Sequence, residues 1–127
     1  MQTAIHSKML AHELYDYIMI ADLNWFWPVK ARPGEVLLVN RVCVYNNSGA
    51  NYGACYKVLK CQGEIHRINY IASINNGVVK RWECDNYLTN GDEIGVAITP
   101  NQAAETVQVS IQLIRFTDSD YNKLFGL

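Results

Sequence analysis

From Thr106 to Leu113 every second residue is apolar: Val107, Val109, Ile111 and Leu113 alternate with Thr106, Gln108, Ser110 and Gln112. Successive side chains of an extended chain point to opposite faces, so this pattern predicts an antiparallel strand with one buried face and one polar face. The same alternation, interrupted by turn residues at short intervals, runs through most of the chain from residue 33 onward. Pro33-Gly34 opens a run from Glu35 to Tyr45 in which Val36, Leu38, Val42 and Val44 fall on one face and Leu37, Val39 and Cys43 on the other. Two apolar faces predict a central strand covered on both sides.

The polar cluster Asn46-Asn47-Ser48-Gly49-Ala50-Asn51 ends that run, and Ala54 to Cys61 reads as the next strand. Gln62-Gly63 breaks it. Ile65 to Ile74 follows, with Ile68, Tyr70, Ala72 and Ile74 at alternate positions, and Asn75-Asn76-Gly77 supplies residues that tolerate a left-handed turn. Val78 to Cys84 carries Trp82 on the face it shares with Lys80, and the tight turn Thr89-Asn90-Gly91-Asp92 leads into the alternating Ile94, Val96 and Ile98. In that turn Asp92 reads as a structural acceptor for backbone donors. Many short strands punctuated by turns predict an all-β fold, an antiparallel jelly-roll-like β-sandwich. With 127 residues, half of them hydrophobic, one domain is sufficient to build a core.

The ends follow other patterns. Ile5 to Ala21 places Leu10, Leu14, Tyr17, Ile18 and Ala21 at helical offsets, with Ser7 available as a cap, and predicts a short helix or arm, although Tyr15, Tyr17, Ile18 and Ile20 would also suit a strand. Trp25-Phe26-Trp27-Pro28 then sets three large aromatics before a proline. Asp118 to Leu127 begins polar and ends apolar at Leu124, Phe125 and Leu127, and reads as a tail. The expected organisation is therefore an arm or helix over 1–27, a sandwich over 28–117 and a tail over 118–127.

Charge narrows the function classes. The formal net charge is −1, and the 11 basic residues are scattered singly apart from Lys80-Arg81. Phosphate backbones call for clustered Lys and Arg, so direct nucleic-acid binding is not expected. No apolar run reaches a membrane span, and Met1 to His6 lacks a basic leader, so the chain is expected to be made in the cytoplasm and to have no membrane partner. Cys43, Cys55, Cys61 and Cys84 form no CxxC pair and lie in apolar runs, which reads as packed free thiols with no metal or other cofactor.

Candidate chemistry is sparse. His66 meeting Cys43, Cys55 or Cys61 across a sheet would be a nucleophile pair, yet nothing in the spacing supplies the third, orienting group. Glu83 and Asp85 sit two apart on one strand face, as paired carboxylates would, although exposed charges also discourage edge-to-edge aggregation. Walker, dinucleotide, GxSxG and HExxH motifs are missing from the sequence, and no catalytic residue is assigned. Trp25, Phe26 and Trp27 cannot all point inward from one strand, so at least one should meet another element or another subunit. Tyr121, Leu124, Phe125 and Leu127 are too few to build a core and call for a partner surface. These seven residues are the candidate interface.

The order of features also resembles a known family. Pro33-Gly34-Glu35, the apolar strand ending in Asn46-Asn47-Ser48, the strand centred on Trp82, and Leu88-Thr89-Asn90-Gly91-Asp92-Glu93-Ile94 before the alternating last strand are similar to small β-sandwich virion proteins of tailed bacteriophages. The resemblance spans about Pro28 to Phe116. It implies a homo-oligomeric virion structural protein, foremost a capsid cement or decoration subunit that binds the major capsid protein, assembled in the host cytoplasm and carrying no cofactor. A tail, neck or adaptor component, or a lectin-like module on a phage appendage, are the alternatives. The residues before the sandwich and the tail after it depart from the plain pattern and fit subunit-bridging arms.

Overall fold

The computed structural model describes residues 13–20, 25–83, 85–99 and 106–125. Among these, nine strands are followed by one helix: β1 (Glu13–Ile20), β2 (Trp25–Lys30), β3 (Glu35–Tyr45), β4 (Cys55–Cys61), β5 (Glu64–Ile71), β6 (Val79–Trp82), β7 (Asn86–Thr89), β8 (Glu93–Ile98), β9 (Thr106–Thr117) and α1 (Asp118–Phe125). All the strand pairings are antiparallel.

Two sheets result. Sheet A runs β1-β9-β3 and then β6 with β7, while sheet B runs β2-β8-β4-β5. β6 pairs with Val42 to Tyr45 and β7 with Val36 to Val39, so both lie along the same flank of β3, one after the other. Counting them as one position leaves four strands in each sheet. The chain passes from sheet to sheet at nearly every connection, with β4 to β5 as the hairpin within one sheet, and this is the jelly-roll arrangement. That hairpin turns on Gln62 and Gly63, both at positive φ of 52° and 83°, the conformation that follows the twist of paired strands.

The core lies between the sheets. Val107, Val109, Ile111 and Leu113 of β9 are all 0–1% exposed, so the strand with the cleanest alternation does bury its apolar face. Ile94, Val96 and Ile98 answer from β8, with Trp82 from β6 and Leu88 from β7. β3 departs from its sequence reading in phase. A register shift between Val39 and Arg41 inserts a bulge, so Leu37, Val39, Val42 and Val44 all point inward, and Val36 and Leu38 point outward with Cys43 and Tyr45. An extra residue reverses every later side chain, which is why Val36 and Leu38 do not share a face with Val42 and Val44.

The N-terminal expectation is corrected. Residues 13–20 form strand β1, and its register against β9 runs from Glu13 opposite Leu113 to Ile20 opposite Thr106. β-branched and aromatic residues favour a pleated surface, and β9 offers a long edge, so tertiary pairing overrides the helical spacing of Leu14, Tyr17 and Ile18. The rest of the expected helix lies outside the described residues. With β1 pairing to β9 and β2, which runs across residue 28, pairing to β8, the described residues before 28 belong to the sheets and do not precede them as an arm. The C-terminal segment is a helix where a tail was expected, and it lies against β9 and β3.

Candidate functional site

The outer face of sheet A divides into a covered half and an open half. On the covered half, Val36, Leu38, Ile114 and Phe116 make a second apolar cluster, each 9% exposed or less. α1, continuous with β9, lies against the two strands that carry this cluster. Burying four such side chains is worth about 6–12 kcal/mol gross. On the open half, a cleft of about 520 Å3 is lined by Asp16 and Ile18 of β1, Cys43 and Tyr45 of β3, Val79 of β6, and Gln108 and Ser110 of β9. Its floor is polar, with Ser110 Oγ donating to Asp16 Oδ1 at 2.8 Å. The walls are apolar and solvent-facing: Ile18 is 69% exposed, Val79 51% and Tyr45 38%. Arg81, opposite Cys43 in the register, is turned toward Glu83 at 3.9 Å, and Arg41 approaches the same carboxylate at 3.5 Å.

The outer face of sheet B carries a ridge along β5, its edge strand. Tyr56 stacks on Tyr70 across the β4–β5 pairing, with ring centroids 5.8 Å apart, and the Arg67 guanidinium lies 5.1 Å from the centre of the Tyr56 ring. Tyr70 is 63% exposed, and Ile65 is exposed on the same strand. The opposite edge of this face is closed by β2. Its bulge between Phe26 and Val29 passes so near β8 that a Cβ added to Gly95 would stand 1.8 Å from the Phe26 carbonyl oxygen. Position 95 therefore admits glycine alone without moving backbone.

Of the candidate interface residues, Phe26 is half-buried against the core and meets Tyr17 edge-on at 5.8 Å, with Tyr17 stacked on Tyr15 at 6.3 Å. This ladder joins the β1 edge of sheet A to the β2 edge of sheet B. Trp27 is half-buried in the β2 bulge. Trp25 is paired through its backbone with Ala97, and Tyr121, Leu124 and Phe125 fall on α1, but the side chains of these four lie outside what the structure describes, as does Leu127 altogether.

Beside the ladder is an ion cluster that the sequence did not point to. Arg115 Nη1 donates to Glu35 Oε2 at 2.6 Å and Nε to Glu13 Oε2 at 3.2 Å. Burial alone would raise the Glu35 pKa, but the hydrogen bonds from Arg115 and from the Arg32 backbone outweigh it and hold the carboxyl below its ordinary value. A second unforeseen group is Lys57. Its position on β4 points inward, it is 1% exposed, and its Nζ donates to Asn86 Oδ1 of the opposite sheet at 2.8 Å.

The residues considered for catalysis do not converge. His66 lies opposite Leu59 on exposed β5 and approaches Glu64 at 3.7 Å. Cys55 is enclosed, and burial pushes its thiol up to about 12. Cys61 is half-buried, raised first by burial and then by the Asp92 carboxylate. Asp92 Oδ2 also accepts from the Thr89 backbone N–H at 3.0 Å, the acceptor role its turn implies. Among the described residues no three His, Cys, Asp or Glu side chains come together as a metal site would need, and no helix is long and apolar enough to cross a membrane. Cys84 lies outside the described residues.

No protein-family model matches the chain, and no curated protein matches it. Among solved structures, a chain from Bacillus endospore appendages, a family of disulfide-linked pili, superposes with a TM-score of 0.52 at 14% identity, covering 84% of this chain and 87% of that one. A chain of infectious bursal disease virus, Gt strain, matches with a TM-score of 0.33 at 10% identity, covering 91% of this chain and 33% of that one. The first likeness is one of fold: an all-β sandwich of similar size. These neighbours are components of multimeric assemblies, a pilus and a virus particle.

Proposed function

We propose that the chain is a non-catalytic structural subunit that associates with copies of itself within a larger assembly. A bacteriophage capsid cement or decoration protein, bound to the major capsid protein, is the first specific form of this reading. The observation that supports it is the distribution of apolar side chains. The space between the sheets is filled, yet Leu14, Ile18, Val79, Tyr70 and Ile65 remain 44–69% exposed on the outer surfaces. Apolar side chains that gather into a patch, as Ile18, Tyr45 and Val79 do along the cleft, mark contact with other proteins. The sequence-derived contact set at the two ends, Trp25, Trp27, Tyr121, Leu124, Phe125 and Leu127, belongs to the same proposal.

A subunit of a disulfide-linked appendage is the second reading, favoured by the likeness in fold to the endospore pilus chain and by Cys43 and Cys61 standing half-exposed at the surface. One experiment separates the two. The purified chain is sedimented alone and with assembled capsid shells, with and without reductant. Co-sedimentation with shells that survives reductant supports the cement reading. Large assemblies without shells, dissolved by reductant, support the appendage reading. A monomer under every condition sinks both.

A further inference from the structure

We infer that copies of the chain stack face to face, head to tail, by seating the Tyr70 ridge of one copy in the outer cleft of sheet A of the next. The inference rests on the self-association proposed above and names its contact.

The two outer faces differ in shape and in charge. Sheet A presents a concavity of about 520 Å3 with apolar walls at Ile18, Tyr45 and Val79 and a carboxylate, Asp16, in its floor. Sheet B presents a projecting ring, Tyr70, braced by its stack on Tyr56 and flanked by Arg67. An amphipathic ring suits a socket of this lining, because its apolar body meets Ile18 and Val79 while its hydroxyl reaches Gln108 and Ser110. Tyr and Arg are also the residues that most often anchor protein contacts.

Charge decides how the copies are oriented. Joining sheet A to sheet A opposes Asp16 to Asp16, and joining sheet B to sheet B opposes Arg67 to Arg67. The mixed contact sets Asp16 against Arg67. Asp16 keeps its hydrogen bond from Ser110, which holds the carboxylate in the floor of the cleft. Arg41 and Arg81 lie outside the cleft lining and share the one carboxylate of Glu83, so Asp16 is the charged group among the lining residues. Because the two surfaces lie on opposite faces of one sandwich, the contact does not close on itself in a pair, and it propagates.

Four strands about 4.8 Å apart and about 20 Å long offer roughly 400 Å2 of face, or about 800 Å2 over both copies. That is below the usual size of a stable pair, so association should be concentration-dependent and grow beyond the dimer. Nothing in the contact requires a disulfide.

The test uses the full chain in reductant, with sedimentation velocity across a concentration series. Asp16→Arg and Arg67→Asp are made singly and together, and Tyr70→Ser separately; all three positions are exposed, and thermal melts confirm folding. Wild type should form species larger than dimers. Each single change should raise the concentration for half-association at least tenfold. Mixing the Asp16→Arg chain with the Arg67→Asp chain should restore association, since each copy then offers its neighbour a complementary face, and the doubly changed chain should associate by itself. If wild type associates and the charge changes leave it untouched, or the mixture is not rescued, the stacking inference is overturned and the structural-subunit reading stands. A wild-type chain that remains monomeric to its solubility limit, alone and with shells, overturns both.

Discussion

Asn46 offers the sharpest test of how the loops are held. It is fully buried at the end of β3, and all of its side-chain capacity is used. Nδ2 donates to Ala50 O at 2.7 Å and to Ile74 O at 2.8 Å, while Oδ1 accepts from Ser48 N at 3.1 Å and Ser48 Oγ at 2.7 Å. The side chain thereby ties the 46–51 loop to the segment after β5. Asn46→Ala removes four hydrogen bonds. Ile74 O keeps a bond from Tyr52 N and Ala50 O keeps a long one from Ser48 Oγ at 3.4 Å, so the uncompensated loss is mainly at the Ser48 N–H, with a weakened contact at Ala50 O. At about 1–3 kcal/mol for each buried group left wanting, the expected cost is about 2–4 kcal/mol.

Asn46→Asp is nearly isosteric and discriminates further. One oxygen still accepts from Ser48, but the other replaces the amide nitrogen and faces two carbonyl oxygens. Burial and those oxygens raise the new carboxyl's folded pKa above its unfolded value of about 3.9. Below that unfolded value the acid is neutral in both states and can donate one bond, so the cost is about 1–2 kcal/mol. As pH rises the unfolded state ionises first, and the penalty grows until the folded pKa is passed. A shift of about 3 units would add about 4 kcal/mol at neutral pH. Chemical denaturation of the three proteins at pH 3.5 and pH 7 reads this directly. Equal cost for Asn46→Asp at both pH values, or a variant as stable as wild type, would refute the proposed geometry of the loop.

Two further outcomes are expected. Gly95→Ala should cost at least about 3 kcal/mol in thermal unfolding, because the Phe26 carbonyl must move by more than an ångström, whereas Gly53→Ala meets only the Thr99 side chain at 3.3 Å and should cost under about 1 kcal/mol; comparable melts for the two would show that β2 does not cross over β8 as described. Glu35 has a lowered folded pKa, so its contribution is present above the ordinary value of 4.5 and is lost as pH falls through the folded value. Glu35→Gln should therefore melt below wild type at pH 7 and converge with it in acid, and parallel pH profiles would remove the Arg115 pairing from the account.

Which parts of this arrangement could be read from the sequence follows from where one signal is unopposed. In β8 and β9 the period of two meets no competing pattern, and Val96, Val109 and Ile111 stand where alternation puts them. In β3 the residues are as expected but their faces are not, because Asn40 and Arg41 give no local sign of a bulge, and the bulge is set by pairing with β9, far along the chain. β1 fails for a different reason. Leu14, Tyr17 and Ile18 satisfy helical and extended spacing alike, and the choice is made by the free edge of β9.

The candidate surfaces were the least legible, and the cause is the same long-range dependence. Tyr70 and Ile65 look like any apolar residues of a strand, and they become a ridge because β5 is the last strand of sheet B. Lys57 inverts the usual inference: a lysine at an alternate position argues for a solvent face, but Cys55 and Leu59 fix the inward phase of β4, and Asn86 across the sheets gives the amine a partner. Which apolar side chains are core and which are contact depends on strand order, and strand order depends on pairings dozens of residues apart. The covered and open halves of sheet A make the point within two strands. Val36 and Ile114 are enclosed where α1 lies against β3 and β9, whereas Cys43 and Ser110, a few residues along the same strands and on the same face, line an open cleft.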